Sequence, residues 1–155
     1  MLPFTVTVLV PVWLARRNGV ALGLADTVPG IGLQAFGAVI LGLGVGLFAA
    51  SLERFATEGE GTLAPWDPPR RLVVRGPYRH VRNPMISGVA LILFGEAAAL
   101  VSRPHLLWAL TFLAVNAIYI PLLEEPFLRE RFGEAYREYC RNVPPLVPRL
   151  RPWRH

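Results

Sequence analysis

The feature that most constrains the fold of this chain is an uncharged run of twenty-two residues, 31–52. A helix rises about 1.5 Å per residue, so a run of this length crosses a hydrocarbon core roughly 30 Å thick. Three further apolar runs accompany it, at residues 2–15, 85–101 and 105–123, and the run 85–101 contains a single charge, Glu96. The sequence therefore predicts an all-α integral membrane protein with about four transmembrane helices.

The last two runs are predicted to form a tight antiparallel helix hairpin, because only residues 102–104 separate 85–101 from 105–123. After the hairpin, apolar side chains recur at helical spacing, which predicts a C-terminal amphipathic helix that ends at Asn142. The residues of this apolar stripe are Leu128, Phe132, Ala135, Tyr136 and Tyr139.

Small residues recur every four positions along the run 31–52, at Ala38, Gly42 and Gly46. Small side chains at this spacing let the backbones of two helices approach closely in lipid. We therefore expect this stripe to be a helix-packing face.

The basic residues indicate the orientation in the membrane. All sixteen are arginine; thirteen lie in residues 53–83 and from 124 onward, and three lie in the opposite loops. By the positive-inside rule, the long loop and the C-terminal tail are predicted to face the cytosol. This topology, together with contact with anionic lipid, explains the net charge of +5, so no nucleic-acid partner is predicted.

Length and cysteine content narrow the possibilities further. The 155 residues predict one domain, 1–155. The single cysteine, Cys140, excludes a disulfide scaffold and a multi-cysteine zinc site, and no metal site is predicted.

The first candidate site is the start of the helix at residue 84. Asn83 is a favoured N-cap residue, and Pro84 suits the first helical position. A helix N-terminus with exposed N–H groups beside Arg79 and Arg82 is suited to bind a carboxylate or a phosphate. The alternative is a capped helix whose arginines contact lipid head groups.

The second candidate site is the acidic pair Glu124 and Glu125, with a proline on either side. Carboxylates at a helix C-terminus are unfavourable, because the helix dipole there favours cations. We therefore expect a cationic partner, which is either a bound ligand or an arginine of the first site, and the two prolines predict a kink.

Glu96 is a third candidate, in the middle of the run 85–101. An acidic residue at that depth is costly and faces the protein interior, where Asn116 and Tyr119 are possible partners. It either takes part in catalysis or only connects helices.

Two stretches, GPYRHVRNPMISG at 76–88 and EEPFLRERFGEAYREYCRNVPPLVP at 124–148, resemble the isoprenylcysteine carboxyl methyltransferases and their relatives, the membrane phospholipid methyltransferases. The family pattern is Gly-Pro-Tyr-Arg, then Arg-His-Pro with a following Tyr and Gly, and later Glu-Glu, Leu, Phe-Gly, Tyr and a closing Pro. The motif-bearing part covers residues 55–148. The matching positions are Gly76, Pro77, Tyr78, Arg79, Arg82, Pro84, Gly88, Glu124, Glu125, Leu128, Phe132, Gly133, Tyr136, Tyr139 and Pro148.

The resemblance implies an S-adenosylmethionine-dependent enzyme of the bacterial inner membrane, with its active site on the cytosolic side. It would methylate a lipophilic small molecule or a lipid-borne group by direct displacement, which depends on positioning and electrostatics. The residues implied to bind the cofactor are Tyr78, Arg79, Arg82, Asn83, Gly88 and Glu124. Those implied to hold or activate the acceptor are Glu125, Arg129 and Arg131, with Glu96 as a further candidate base.

Three positions depart from the family pattern. Asn83 stands where the family often has His, Ile86 where Tyr is common, and Pro145 where Arg is common. These departures affect the acceptor more than the cofactor, so the acceptor is left open among a carboxylate, an amine and a thiol. The competing interpretation is a non-catalytic membrane module that binds lipid or a partner protein.

Overall fold

The structure is a computed structural model that describes residues 2–20, 23, 25, 27–58 and 71–154. Over these residues its regular secondary structure is helical, as predicted, with four continuous stretches of α- and π-helix and one 3₁₀-helical turn, Gly76–Arg79. The first comprises α1 (Leu2–Phe4), a π-helical turn (Thr5–Leu9) and α2 (Val10–Arg17); the second is α3 (Val28–Glu58); the third is α4 (Pro84–Ala99); and the fourth comprises α5 (Arg103–Tyr119), a π-helical turn (Ile120–Glu124) and α6 (Glu125–Asn142).

Two of the four stretches, Val28–Glu58 and Arg103–Asn142, are long and apolar enough to cross a membrane. Helix α4 is apolar but shorter, with 16 residues. Large apolar side chains lie on the surface of α3, among them Phe36, Val39 and Leu43. Soluble monomers rarely expose such contiguous apolar surface, so these side chains indicate contact with lipid.

The chain divides into two compact units. The first consists of Met1–Gly46 and Gly88–Val115, and the second of Leu47–Ser87 and Asn116–His155.

In the first unit, α3 and α4 pack backbone against backbone at three glycines. A methyl group on Gly37 would collide with the backbone nitrogen of Ala99, and one on Gly44 would lie 2.7 Å from the backbone nitrogen of Ile92. On α4, a methyl group on Gly95 would lie 2.5 Å from the backbone nitrogen of Leu41. These approaches leave no room for a side chain.

The packing face of α3 therefore lies on different glycines from those expected. A methyl group on Gly42 or Gly46 would meet nothing within 4 Å among the described residues, so the prediction for this stripe is wrong. Gly37 and Gly44 are seven residues apart, two helical turns, and also share one face. A helix this rich in small residues has more than one such face, and spacing does not select among them.

The Gly37→Ala variant is expected to lower the free energy of unfolding by about 1–3 kcal/mol, because the new methyl group overpacks a backbone contact. The matched Gly42→Ala variant places its methyl group in open space and is expected to be neutral or more stable by up to about 1 kcal/mol, since alanine favours helix. Thermal unfolding in detergent, followed by circular dichroism, measures both. Equal effects of the two substitutions would contradict the packing seen here.

Two side chains of α5 donate to carbonyl groups of the first stretch. Trp108 Nε1 donates to the carbonyl of Val6 at 3.1 Å, and His105 Nε2 to that of Pro11 at 3.1 Å. Because a carbonyl only accepts, His105 carries its proton on Nε2, and the Ser102 hydroxyl donates to Nδ1 at 2.7 Å. These bonds connect the first stretch to α5.

In the second unit, α6 packs four of the five residues of its predicted apolar stripe, while the fifth, Ala135, is exposed. Tyr136, Tyr139 and Val143 form a buried cluster. The partly buried residues that pack against it are Leu72, Val74, Leu128, Phe132, Cys140 and Trp153. The helix ends at Asn142, also as predicted.

The kink expected from the prolines around the acidic pair takes another form. Residues Ile120–Glu124 form a π-helical turn that leads directly into α6. A π-helical turn accommodates the missing N–H of Pro121 without ending the helix, and it rotates the residues that follow about the helix axis. It thereby changes the directions of Glu124 and Glu125. The non-helical residue inside α6 is Gly133, at φ 55° and ψ −129°.

Candidate functional site

Helix α4 begins at Pro84 with Asn83 before it, as predicted. The backbone N–H groups of Arg82 and Asn83 donate to the carbonyls of Pro144 at 2.8 Å and Pro145 at 3.2 Å. The Asn83 side-chain amide also donates to the Pro145 carbonyl, at 3.2 Å. Of the N–H groups predicted to be free at this helix start, that of Asn83 is therefore used internally.

The segment that covers them, residues 143–154, is here named the C-terminal strap. Arg79 Nε donates to the carbonyl of Trp153 at 2.5 Å, and the Trp153 N–H donates back to the Arg79 carbonyl at 2.9 Å. His80 makes the same reciprocal pair with Arg149, at 2.8 Å through Nδ1 and 2.9 Å through the backbone. Arg79, predicted to bind the cofactor, thus holds the strap.

Glu125 accepts hydrogen bonds from two guanidinium groups. Its Oε1 atom lies 2.6 Å from Nη2 of Arg82, and its Oε2 atom lies 2.9 Å from Nη2 of Arg129. The side chains of Arg82 and Glu125 are only 10% and 8% exposed, and Nη1 of Arg82 also donates to the Cys140 carbonyl at 3.2 Å. The predicted alternative, an internal arginine as the partner of the acidic pair, is confirmed for Glu125.

The carboxylate of Glu125 is held in place from both sides. Each of its oxygens accepts one hydrogen bond from a guanidinium group. A buried ion pair with good geometry fixes two elements relative to each other, here α6 and the segment before α4.

Glu124 has a different environment. It is partly buried, and among the described residues no hydrogen bond or ion pair reaches its carboxylate. Burial, and in second place the charge of Glu125, raises the pKa of Glu124. A desolvated carboxylate without a counter-ion in its surroundings is an acceptor for a cationic ligand.

Tyr78, another predicted cofactor contact, is buried in the second unit. Its hydroxyl is 3.5 Å from the Ser51 carbonyl, and its own carbonyl accepts from Tyr139 Oη at 2.6 Å. Burial, and then the nearby charge of Glu124, raises the pKa of Tyr78, so the phenol stays protonated.

The Tyr139→Phe variant is expected to lose about 1–3 kcal/mol of stability, because the buried Tyr78 carbonyl loses its hydrogen-bond donor. Tyr119→Phe, at a half-exposed position, serves as the control and is expected to change stability by less than about 0.5 kcal/mol. Thermal unfolding in detergent measures both. A Tyr139→Phe protein as stable as its parent would contradict this role.

Two cavities lie in the second unit. One of about 470 Å³ is lined by Leu47, Gly76, Pro77, Arg79, His80, Val81, Pro148 and Pro152. The other, here named the arginine cavity, measures about 390 Å³ and is lined by Arg82, Glu125, Arg129, Arg137, Cys140 and Arg141.

The remaining predicted residues are Arg131, Gly88 and Glu96. Arg131 is exposed, with its guanidinium 5.9 Å from the centre of the Phe132 ring. Gly88 and Glu96 belong to the first unit. There, Oε2 of Glu96 is buried and has no hydrogen-bond partner in the part of the chain that the structure describes.

Sequence reasoning missed Arg137 and Arg141 as lining residues. They lie eight and twelve residues after Arg129 on α6, beyond the non-helical residue Gly133. Helical spacing is interrupted there, so it gave no signal for this lining.

Comparison with known proteins gives the family. Residues 33–135, about two-thirds of the 155, match the family model described as phospholipid methyltransferase. The methanethiol S-methyltransferase of Pseudomonas deceptionensis is 42% identical over 77 residues, covering 48% of this chain and 27% of that protein. Methanethiol S-methyltransferase 2 of Bradyrhizobium diazoefficiens is 37% identical over 73 residues, covering 47% of this chain and 27% of that protein.

The chain thus spans about a quarter of the length of these relatives. The family match includes the motif at 76–88 and the acidic pair, so the resemblance stated from those residues is confirmed. The chain belongs to the phospholipid methyltransferase family.

Proposed function

We propose that this protein is an integral-membrane methyltransferase that uses S-adenosylmethionine and methylates a small lipophilic or lipid-borne acceptor. The observation that carries the proposal is Glu124, a partly buried carboxylate beside the fixed Arg82–Glu125 pair, with no counter-ion among the described residues. Because the chain belongs to a family of methyltransferases, we infer that the ligand of Glu124 is the methyl donor.

The residues present fit the methyl donor. S-adenosylmethionine supplies an electrophilic methyl group on a sulfonium centre, and it also carries an ammonium group. The Glu124 carboxylate can accept a hydrogen bond from that ammonium group. Such a charge-assisted hydrogen bond is strong in a partly desolvated site. Arg82 and Glu125 contribute indirectly. Their ion pair fixes the start of α6 and thereby the position of Glu124.

We propose a small thiol as the acceptor. Both relatives are named methanethiol S-methyltransferases, and the stretch they share with this chain covers nearly half of it. A thiol reacts as its thiolate, so the protein has to favour the anion and exclude water rather than supply a metal or a covalent nucleophile. A carboxylate or an amine acceptor is the alternative.

The proposed topology has four spans, with a hairpin of α4 and α5 and with the amphipathic α6 on the cytosolic side of a bacterial inner membrane. The arginine distribution supports it, since thirteen of sixteen lie in the long loop and the tail. The whole chain, 1–155, then acts as one domain.

The test begins with calorimetric titration of the detergent-purified protein with S-adenosylhomocysteine, the demethylated product, for which we expect micromolar binding. Isotope-labelled methyl transfer to methanethiol, a short fatty acid and an alkylamine then identifies the acceptor, with a labelled thioether expected. Transfer to the fatty acid or the amine alone would overturn the thiol proposal. A folded protein that does not bind the product would overturn the methyltransferase proposal and favour a non-catalytic membrane module.

A further inference from the structure

The charges around the arginine cavity do not balance. On its inner side, Glu125 is shared by Arg82 and Arg129. On its outer side, Glu134 is also shared by two arginines. Its Oε2 atom lies 3.2 Å from Nη1 of Arg137, and its Oε1 atom lies 3.2 Å from Nη2 of Arg141. Each carboxylate therefore serves two guanidinium groups, and the cluster keeps an excess of two positive charges.

The two sides differ in burial. The inner pair of Arg82 and Glu125 is about nine-tenths buried and fixed, whereas Arg137, Arg141 and Glu134 are 60%, 69% and 64% exposed. Exposed ion pairs contribute little to stability. The outer guanidiniums can therefore exchange Glu134 for a ligand anion at small cost.

One inner donor also lacks a partner. The Nε–H group of Arg82 is buried and has no acceptor among the described residues. An unmet buried donor of this kind is costly. Arg82 lines the cavity, so a ligand oxygen that reached this N–H group would supply the missing acceptor.

Guanidinium groups favour one kind of anion. Their planar, forked donors match the oxygens of a phosphate or a carboxylate, and arginine is the sole basic residue type of the cavity lining. Four of them around about 390 Å³ leave space for a whole head-group phosphate.

Exposed apolar side chains on the same helical stretch indicate the source of the phosphate. Leu122, Leu123 and Phe127 lie within three residues of Glu125 along the chain and are 67%, 61% and 47% exposed. Contact with acyl chains removes such side chains from water, which is favourable. A basic cavity within a few residues of exposed apolar side chains matches a phospholipid, which carries its phosphate next to its acyl chains.

We propose that the arginine cavity binds the phosphate of an anionic membrane phospholipid, as a bound lipid that is not the methyl acceptor. The proposal does not rest on the proposed methyltransferase function, because the lipid phosphate would contact the cavity arginines and not Glu124, the residue proposed to hold the methyl donor.

The test measures binding of phosphatidylglycerol to the detergent-purified protein by native mass spectrometry, with phosphatidylcholine as the zwitterionic comparison. The Arg137→Gln/Arg141→Gln double variant is expected to bind phosphatidylglycerol about tenfold more weakly or worse, as two arginines near an anionic surface contribute about 1 kcal/mol each. The Arg151→Gln/Arg154→Gln variant removes the same charge from the exposed end of the tail and is expected to bind like the parent.

Three results would overturn the proposal. Equal loss of phosphatidylglycerol binding in both double variants would show that the lipid is attracted by the positive surface in general and not by this cavity. Displacement of the lipid by millimolar inorganic phosphate would assign the cavity to a free anion, and displacement by S-adenosylhomocysteine would assign it to the methyl donor. Retained lipid binding in a protein that fails to bind S-adenosylhomocysteine would leave this proposal standing while the methyltransferase proposal falls.

Discussion

Replacing Arg82 with methionine is expected to lower the free energy of unfolding by about 3–5 kcal/mol, because the change leaves Glu125 as a buried charge with one partner removed. The Arg82–Glu125 pair is only 10% and 8% exposed, so water cannot take over the role of the guanidinium. For a chain of this size the loss corresponds to a fall of about 10 °C in the unfolding midpoint. Thermal unfolding of the variant in detergent measures it.

Two comparisons separate charge compensation from simple loss of packing. Arg137→Met breaks an exposed pair with Glu134 and is expected to cost less than about 1 kcal/mol. The double variant Arg82→Met/Glu125→Leu removes both buried charges and is expected to recover part of the loss. A double variant as unstable as Arg82→Met alone would show that Arg82 stabilises the protein by packing.

The helices of the fold were predictable because their signals are local. The run 85–101 became α4, Pro84–Ala99, and the run 105–123 became α5, Arg103–Tyr119, with the π-helical turn that follows it. Apolar length and the proline at the first helical position need no knowledge of the remaining chain. The burial of Tyr136 and Tyr139 followed from helical periodicity for the same reason.

The internal partners of the site were only partly predictable. The sequence indicated that the acidic pair needs a cation, but adjacent helical residues point about 100° apart, and the π-helical turn before α6 decides which of the two meets Arg82. A π-helical turn has no sequence signature as clear as a cap or a repeat. The different roles of Glu124 and Glu125 therefore required the structure.

The C-terminal strap was not predictable at all. It is attached through backbone carbonyls, for example those of Pro144, Arg149 and Trp153. Every residue has a carbonyl, so side-chain patterns carry no signal for such contacts. The sequence accordingly predicted a ligand site at the start of α4 but not the strap, whose Pro145 carbonyl accepts from the Asn83 N–H group there.

Replacing Glu124 with glutamine is expected to weaken binding of S-adenosylhomocysteine about 10- to 100-fold, the equivalent of one charge-assisted hydrogen bond of 1.5–3 kcal/mol. Calorimetric titration measures the loss, and Glu130→Gln, at an exposed position on the same helix, is the control that should bind like the parent. In the parent the affinity should rise with pH through the raised pKa of Glu124, since only the ionised carboxylate attracts the ammonium group. Unchanged affinity in Glu124→Gln would remove Glu124 from the cofactor site.

The same substitution is expected to stabilise the unliganded protein at neutral pH. A carboxyl whose pKa is higher in the folded than in the unfolded chain loses its proton less readily when folded, so its ionisation lowers stability. That loss is absent below the ordinary pKa of 4.5 and complete above the raised value. Glu124→Gln carries no charge, so its unfolding midpoint should exceed that of the parent at about pH 8 and equal it at about pH 4. If Glu124 is kept without a counter-ion in order to bind a ligand, its replacement should raise stability and lower affinity together. The same stability difference at both pH values would instead assign the effect to packing.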